Sequence, residues 1–235
     1  MSIYKITKEG TCMTQRSDHA RLSAAALAIS GVFFAIYPAL RPFSDEVTLA
    51  GAAAFGADAW LVAHMLAMVA FTLLPVGLFG LYRLLEDSPA RCMSAWALVI
   101  GQVGVGFTLP FYGGEAYGLH AIGQEALARQ DASLLSIAAA VRAGPGLLLF
   151  LSGLLLLGGS AILAAIAIWR SGRYPIWSGV PLALGLALYI PQFFGTQPLR
   201  VAHGLLVAVG CLWVALDLWR GSAATYARQV AVRGS

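Results

Sequence analysis

The chain has 235 residues, of which 59% are hydrophobic and only 11% charged, and its mean hydropathy is +0.77. An ordinary soluble domain carries about 25% charged residues. These figures exclude a soluble enzyme, a disordered tail and a nucleic-acid-binding module, and they point to an integral membrane protein surrounded by membrane lipid. The formal net charge of +4 comes from 13 Arg and 2 Lys against 11 acidic residues. In a membrane protein a basic excess is first explained by cytoplasmic loops that face anionic lipid. The bias toward Arg, Ala and Gly fits a GC-rich bacterial genome, and hence the bacterial plasma membrane.

A helix needs about 20 mainly apolar residues to cross a bilayer, and six segments qualify. The first, 22–40, runs into Tyr37-Pro38 rather than a small-residue cleavage site, so it reads as a span and not as a signal peptide. Met1 and Met13 are alternative starts. Arg41 follows this span. The second, 60–82, carries His64 about one turn inside. The third, 94–113, contains the glycine-rich run 101–106. It lies in an apolar span with no Lys-Ser/Thr after it, so it is no phosphate loop, and its small residues allow close helix packing. Gln102 is expected to make a helix–helix hydrogen bond. Tyr112, Glu115, Tyr117 and His120 run through the far end of this span.

Residues 124–143 are amphipathic, with Leu127, Leu134, Ile137, Ala138 and Val141 on one helical face. The segment is expected to lie on the membrane surface or to extend the fourth span, 146–169, which Arg142 and Pro145 precede. The fifth span, 177–195, ends near Gln192. The sixth, 201–219, follows Arg200 and carries His203 about one turn in. Asp217, near its end, is expected to pair with Arg220. Long continuous apolar runs are the pattern of helices and exclude a β-barrel.

Arg and Lys bias sets orientation. The N-terminus, loops 83–93 and 170–176 and the C-terminus hold Lys5, Lys8, Arg16, Arg21, Arg83, Arg91, Arg170, Arg173, Arg220, Arg228 and Arg233, eleven of the fifteen basic residues. The alternate set holds Arg41, Arg129, Arg142 and Arg200. The expected fold is an all-α integral membrane protein: a six-transmembrane-helix bundle of three helix hairpins with both termini cytoplasmic. It forms one membrane domain, 22–219, with tails 1–21 and 220–235. Cys12, Cys92 and Cys211 form no CxxC pair, which fits a reduced compartment without disulfides.

Ionisable side chains in a bilayer are costly, so their depth carries information. Arg41, His64, Tyr112, Glu115, Tyr117, His120, Arg142, Gln192, Arg200 and His203 all fall at the outer ends of the predicted helices. They are expected to line an outward-facing polar pocket. Glu115, His64 and His203 are the candidate acid–base groups, and Arg41, Tyr112, Tyr117, His120, Arg142, Gln192 and Arg200 the candidate ligand-binding groups. Snorkelling of the arginines to headgroup phosphate is the competing explanation. Zinc, copper and haem stay open as cofactors but are not favoured, because no pair of histidines has i,i+4 spacing. Pro110 and Pro191 are candidate kinks.

A short parallel repeat links Tyr37-Pro38, Arg41 and His64 to Tyr189-Ile190-Pro191, Arg200 and His203. The reading is a membrane-embedded enzyme or binding protein for a lipophilic small molecule. A small transporter or channel subunit, and a non-catalytic accessory protein, are the alternatives. Homo-oligomerisation stays open.

Overall fold

The computed structural model describes residues 2–233, and their side chains over 18–223. Lys5, Lys8, Cys12, Met13, Arg16, Arg228 and Arg233 lie outside the described side chains. The chain is a multi-pass, all-helical protein, with no strand among the described residues. Its elements are α1 (Ser2–Leu40), α2 (Leu49–Gly56), α3 (Asp58–Leu85), α4 (Arg91–Gly113), a π-helical turn (Gly114–Gly118), α5 (Leu119–Arg129), α6 (Leu135–Val141), α7 (Gly144–Ser171), α8 (Val180–Ala187) and α9 (Gln197–Arg233).

Five stretches among the described residues are long and apolar enough to cross a membrane: Asp18–Leu40, Asp58–Leu85, Arg91–Arg129, Gly144–Ser171 and Gln197–Ala223. The predicted fifth span, 177–195, is not a continuous helix. It contains the eight-residue α8 and then a 3₁₀ turn, Pro191–Phe194. The cause lies in the sequence. Pro191 has no N–H to give the carbonyl of Ala187, and its ring crowds that carbonyl, so the helix stops there. The broken segment still runs alongside α7. Gly179 abuts Ala165, Gly158 abuts Ala187, and Phe193 meets Phe150.

The elements form a closed ring in which α1, α3, α4, α7, α8 and α9 each pack on their chain neighbour and α9 returns to α1. The Arg21 guanidinium sits 5.8 Å over Trp219, so the start of the first apolar stretch and the end of the last lie at one end of the bundle. Lipid tails are as apolar as leucine, so close packing and interhelical hydrogen bonds must hold such a bundle together. Ser30 donates to the Ala70 carbonyl at 2.8 Å and Ser160 to the Ala97 carbonyl at 2.6 Å. Small residues bring the backbones together. Pro38 leaves the Phe34 carbonyl without its helical donor, and α9 packs onto that carbonyl through Gly204, where a Cβ would come within 2.4 Å.

Gln102 does not make the expected interhelical bond; it is exposed on α4. The face is shaped by packing: Gly101, Gly104 and Val105 turn inward. Asp217 is buried, at 4% exposure, and one of its carboxylate oxygens, Oδ2, has no partner. Arg220 acts on it electrostatically, but no Asp217–Arg220 contact is among the ion pairs of the described residues.

A smaller second layer covers the other end of the bundle. There α2, α5 and α6 pack around Phe55, Trp60, Leu119, Ala126, Leu135 and Ala138. The amphipathic segment 124–143 is not one continuous helix, and it is separated from α7 by a break at Arg142–Ala143. Its first part continues α4 through the π turn, and Gln130 ends it in the left-handed conformation at φ 53°. Ile137 and Val141, predicted on the apolar face, are exposed, whereas Leu135 is buried.

A Cβ at Gly210 would lie 2.2 Å from the Leu182 amide nitrogen, while one at Gly106 would meet nothing within 4 Å. Gly210→Ala is expected to destabilise the protein by about 1–3 kcal/mol through overpacking. Gly106→Ala is expected to leave stability unchanged or raise it. Thermal unfolding in a mild detergent measures both.

Candidate functional site

The layer over the bundle is tied down by one arginine. Arg142 follows α6 and stands where that helix meets α7. Its Nε donates to Glu115 Oε1 at 2.5 Å and its Nη2 to Glu115 Oε2 at 2.9 Å. Its Nη1 donates to Glu46 Oε2 at 2.5 Å. Glu46 Oε1 in turn accepts from Arg41 Nη2 at 2.9 Å. A planar fork of fixed donors suits two carboxylates held this way. The network joins the end of α1, the loop before α2, the π turn and the start of α7.

Local sequence explains why each group points inward. Asp45 accepts from the Val47 and Thr48 amides and from the Thr48 hydroxyl, and Thr48 caps α2. Between them Glu46 takes a left-handed φ of 61°, which a non-glycine residue adopts only when its surroundings hold it there. Pro110 and Gly113 precede the π turn and Gly114 opens it, and its wider winding re-aims Glu115. The indole of the fully buried Trp60 donates to the Glu115 carbonyl at 2.7 Å. The Arg41 guanidinium lies 4.3 Å over the same indole.

The His64 ring packs on Trp60 at a tilt of 35°, with ring centroids 4.4 Å apart. Its Nδ1 is 2.7 Å from the Trp60 carbonyl. A carbonyl only accepts, so Nδ1 carries the proton, and in the neutral ring Nε2 presents its lone pair. That Nε2 stands 3.7 Å from Glu115 Oε2.

These groups border a cavity of about 460 Å³. Its polar side carries Arg41, Glu46, His64, Glu115, Arg142, Gln192 and Arg200, and its apolar wall includes Phe111, Leu147, Phe150, Leu151 and Phe193. Phe111 and Phe150 stack at 4.2 Å. Deeper in, Tyr189 shares hydrogen bonds with the hydroxyls of Tyr37 at 2.8 Å and Tyr112 at 3.0 Å. The two limbs of the short repeat thus meet at the Tyr37–Tyr189 pair. Beyond the tyrosines, Phe34, Phe71 and Leu74 fill the core.

Of the ten residues singled out in the sequence, Arg41, His64, Tyr112, Glu115, Arg142, Gln192 and Arg200 border this cavity. Tyr117, His120 and His203 do not. Tyr117 is exposed. His120 Nδ1 meets the Phe55 carbonyl at 3.0 Å and closes the end of α2. His203 Nε2 donates to the Gly185 carbonyl at 2.7 Å. That carbonyl lies in the last turn of α8, where helical donors run out. Sequence reasoning did not single out Glu46, Trp60 or Phe43. The signal for Glu46 was charge balance, since three arginines at one depth require more than one carboxylate. Among the described residues no three His, Cys, Asp or Glu side chains gather as a metal-binding set, and Tyr112 and Tyr189 stand between His64 and His203. The chain matches no protein-family model, no curated protein and no solved structure.

Two measurements test this electrostatic frame. The side chains of Arg142 and Glu115 are only 24% and 12% exposed. Arg142→Met strands the Glu115 carboxylate and is expected to cost about 3–5 kcal/mol. The double variant Arg142→Met/Glu115→Gln is expected to recover most of that loss, as read by unfolding of all three variants. Burial works to raise the Glu46 carboxyl, but the neighbouring Arg142 and Arg41 outweigh it and hold it below its ordinary 4.5. A lowered carboxyl contributes stability above its ordinary range and loses it as pH falls. The thermal midpoint is therefore expected to drop on acidification below about 4.5, and Glu46→Gln to flatten that drop.

Proposed function

We propose that this multi-pass membrane protein binds a lipophilic small molecule in the cavity beneath Arg142, as a receptor or a membrane-embedded enzyme. One observation carries this reading: aromatic and aliphatic side chains and a compact set of charged groups together line one cavity of about 460 Å³. Apolar walls with a few placed polar groups are the common form of a small-molecule site. The tight core beneath the tyrosines favours a closed pocket over a conducting path.

The distribution of basic residues supports six crossings, with the broken segment 177–195 as the fifth. It also supports cytoplasmic termini and a cavity that opens on the opposite face of a bacterial plasma membrane. Within the site, His64 is the group suited to accept a proton or hydrogen bond from a ligand hydroxyl, through its Nε2 lone pair. Glu115 is held by both of its oxygens, so its role is to fix Arg142 and to set the field around His64. The Tyr37 and Tyr112 hydroxyls can meet a ligand oxygen at the cavity floor. His120 and His203 support the surrounding helices in this reading, and the exposed Tyr117 stands outside the site.

The test is extraction in a mild detergent followed by mass spectrometry of retained lipophiles. The wild type is expected to keep a defined compound. Leu151→Trp, which fills the cavity, is expected to lose it while staying folded. His64→Ala is expected to weaken retention by about fivefold, the scale of one hydrogen bond. Equal retention by wild type and Leu151→Trp would contradict a cavity site.

A further inference from the structure

The charges around the cavity do not balance. Arg41, Arg142 and Arg200 stand against two carboxylates, Glu46 and Glu115. All four carboxylate oxygens are engaged by Arg41 and Arg142. Arg200 forms none of the ion pairs among the described residues. Its Nε donates to the Gly195 carbonyl at 3.1 Å and its Nη2 to the Phe193 carbonyl at 2.5 Å. These two carbonyls anchor the guanidinium but do not cancel its charge. A guanidinium has five N–H donors, so further donors remain, including those on Nη1.

Arg200 also shares an aromatic ring with a second cation. Its guanidinium lies 5.1 Å from the Phe43 ring centre, and that of Arg41 lies 4.8 Å from the same ring. Arg200 is half-buried, and the side chain of Arg41 is only 11% exposed. Two cations near one ring, one of them without a carboxylate, form an arrangement that an anion relieves. The apolar side chains of Phe111, Phe150, Leu151 and Phe193 line the same cavity.

We infer that the ligand is an amphiphile with one anionic oxygen headgroup, a carboxylate or a phosphate, seated at Arg200 beside Arg41, with its hydrocarbon chain along the Phe111–Phe150–Phe193 wall. This rests on the cavity being a lipophile site, as proposed above, and names the chemistry of its occupant. The surplus charge is positive and no carboxylate is free, so the site disfavours a cationic or zwitterionic head. Such a headgroup could belong to a free fatty carboxylate or to a membrane-lipid phosphate.

The probes are palmitate, phosphatidic acid and the neutral hexadecanol, bound to delipidated wild type in non-ionic detergent at a pH where palmitate is ionised. At least one anion is expected to bind about tenfold tighter than hexadecanol, the scale of a charge-assisted hydrogen bond. Preference for palmitate identifies a fatty carboxylate, and preference for phosphatidic acid identifies a lipid phosphate. Arg200→Gln is expected to abolish the preference by weakening anion binding far more than hexadecanol binding, which also reports a folded cavity. Arg200→Lys is expected to keep part of it. Hexadecanol bound as tightly as both anions overturns the anionic assignment and leaves the lipophile site standing, even if the variants fail to fold. A preference that survives Arg200→Gln overturns the role of Arg200. Binding of no probe overturns the site itself.

Discussion

The grip of Arg142 on two carboxylates is the interaction on which the rest of this end of the protein depends. Glu115 belongs to the π turn and Glu46 to the loop before α2, 96 residues before Arg142. Neither segment has enough apolar surface of its own to fix its place, and the second hydrophobic layer is small. A bidentate pair to Glu115 and a third bond to Glu46 hold both segments over the bundle. The network costs desolvation, and Glu46 holds a left-handed backbone to join it. Arrangements of this kind persist where surroundings over-determine them, and they cluster at binding and catalytic sites.

A second constraint is the helix end in a non-polar setting. Short or broken helices leave carbonyls without donors, and in a membrane those carbonyls need partners from the protein. His203 serves α8, His120 serves α2, and Arg200 serves the turn after Pro191. This accounts for polar residues at the helix ends that stand outside the cavity. It separates them from His64, whose Nδ1 is engaged on its own helix and whose Nε2 remains turned toward Glu115.

The apolar runs 22–40, 60–82, 94–113, 146–169 and 201–219 were legible because hydrophobicity over a bilayer's width is a strong signal. The break at Ala187 was less so, since the composition of 177–195 is that of a span, and only Pro191 marks the interruption. Charge and depth placed Glu115, His64 and the arginines at one level but could not say which faced inward. Glu46 escaped notice because the partner that ties it to the site, Arg142, is 96 residues away and it sits beside the exposed Asp45 in a polar loop. The fate of segment 124–143 turned on the left-handed Gln130, a conformation that periodicity does not encode. Asp217 looked paired because Arg220 stands three residues on, yet spacing on a helix sets proximity and not contact.

Density for the purified protein, from cryo-electron microscopy in lipid nanodiscs, tests the central claim most directly. The account predicts an elongated feature along Phe111, Phe150 and Phe193, with its polar end at Arg200 and Arg41, and Arg142 still gripping Glu115 and Glu46. A collapsed cavity, or water density continuous from the cavity through the tyrosines to the far end of the bundle, would contradict it.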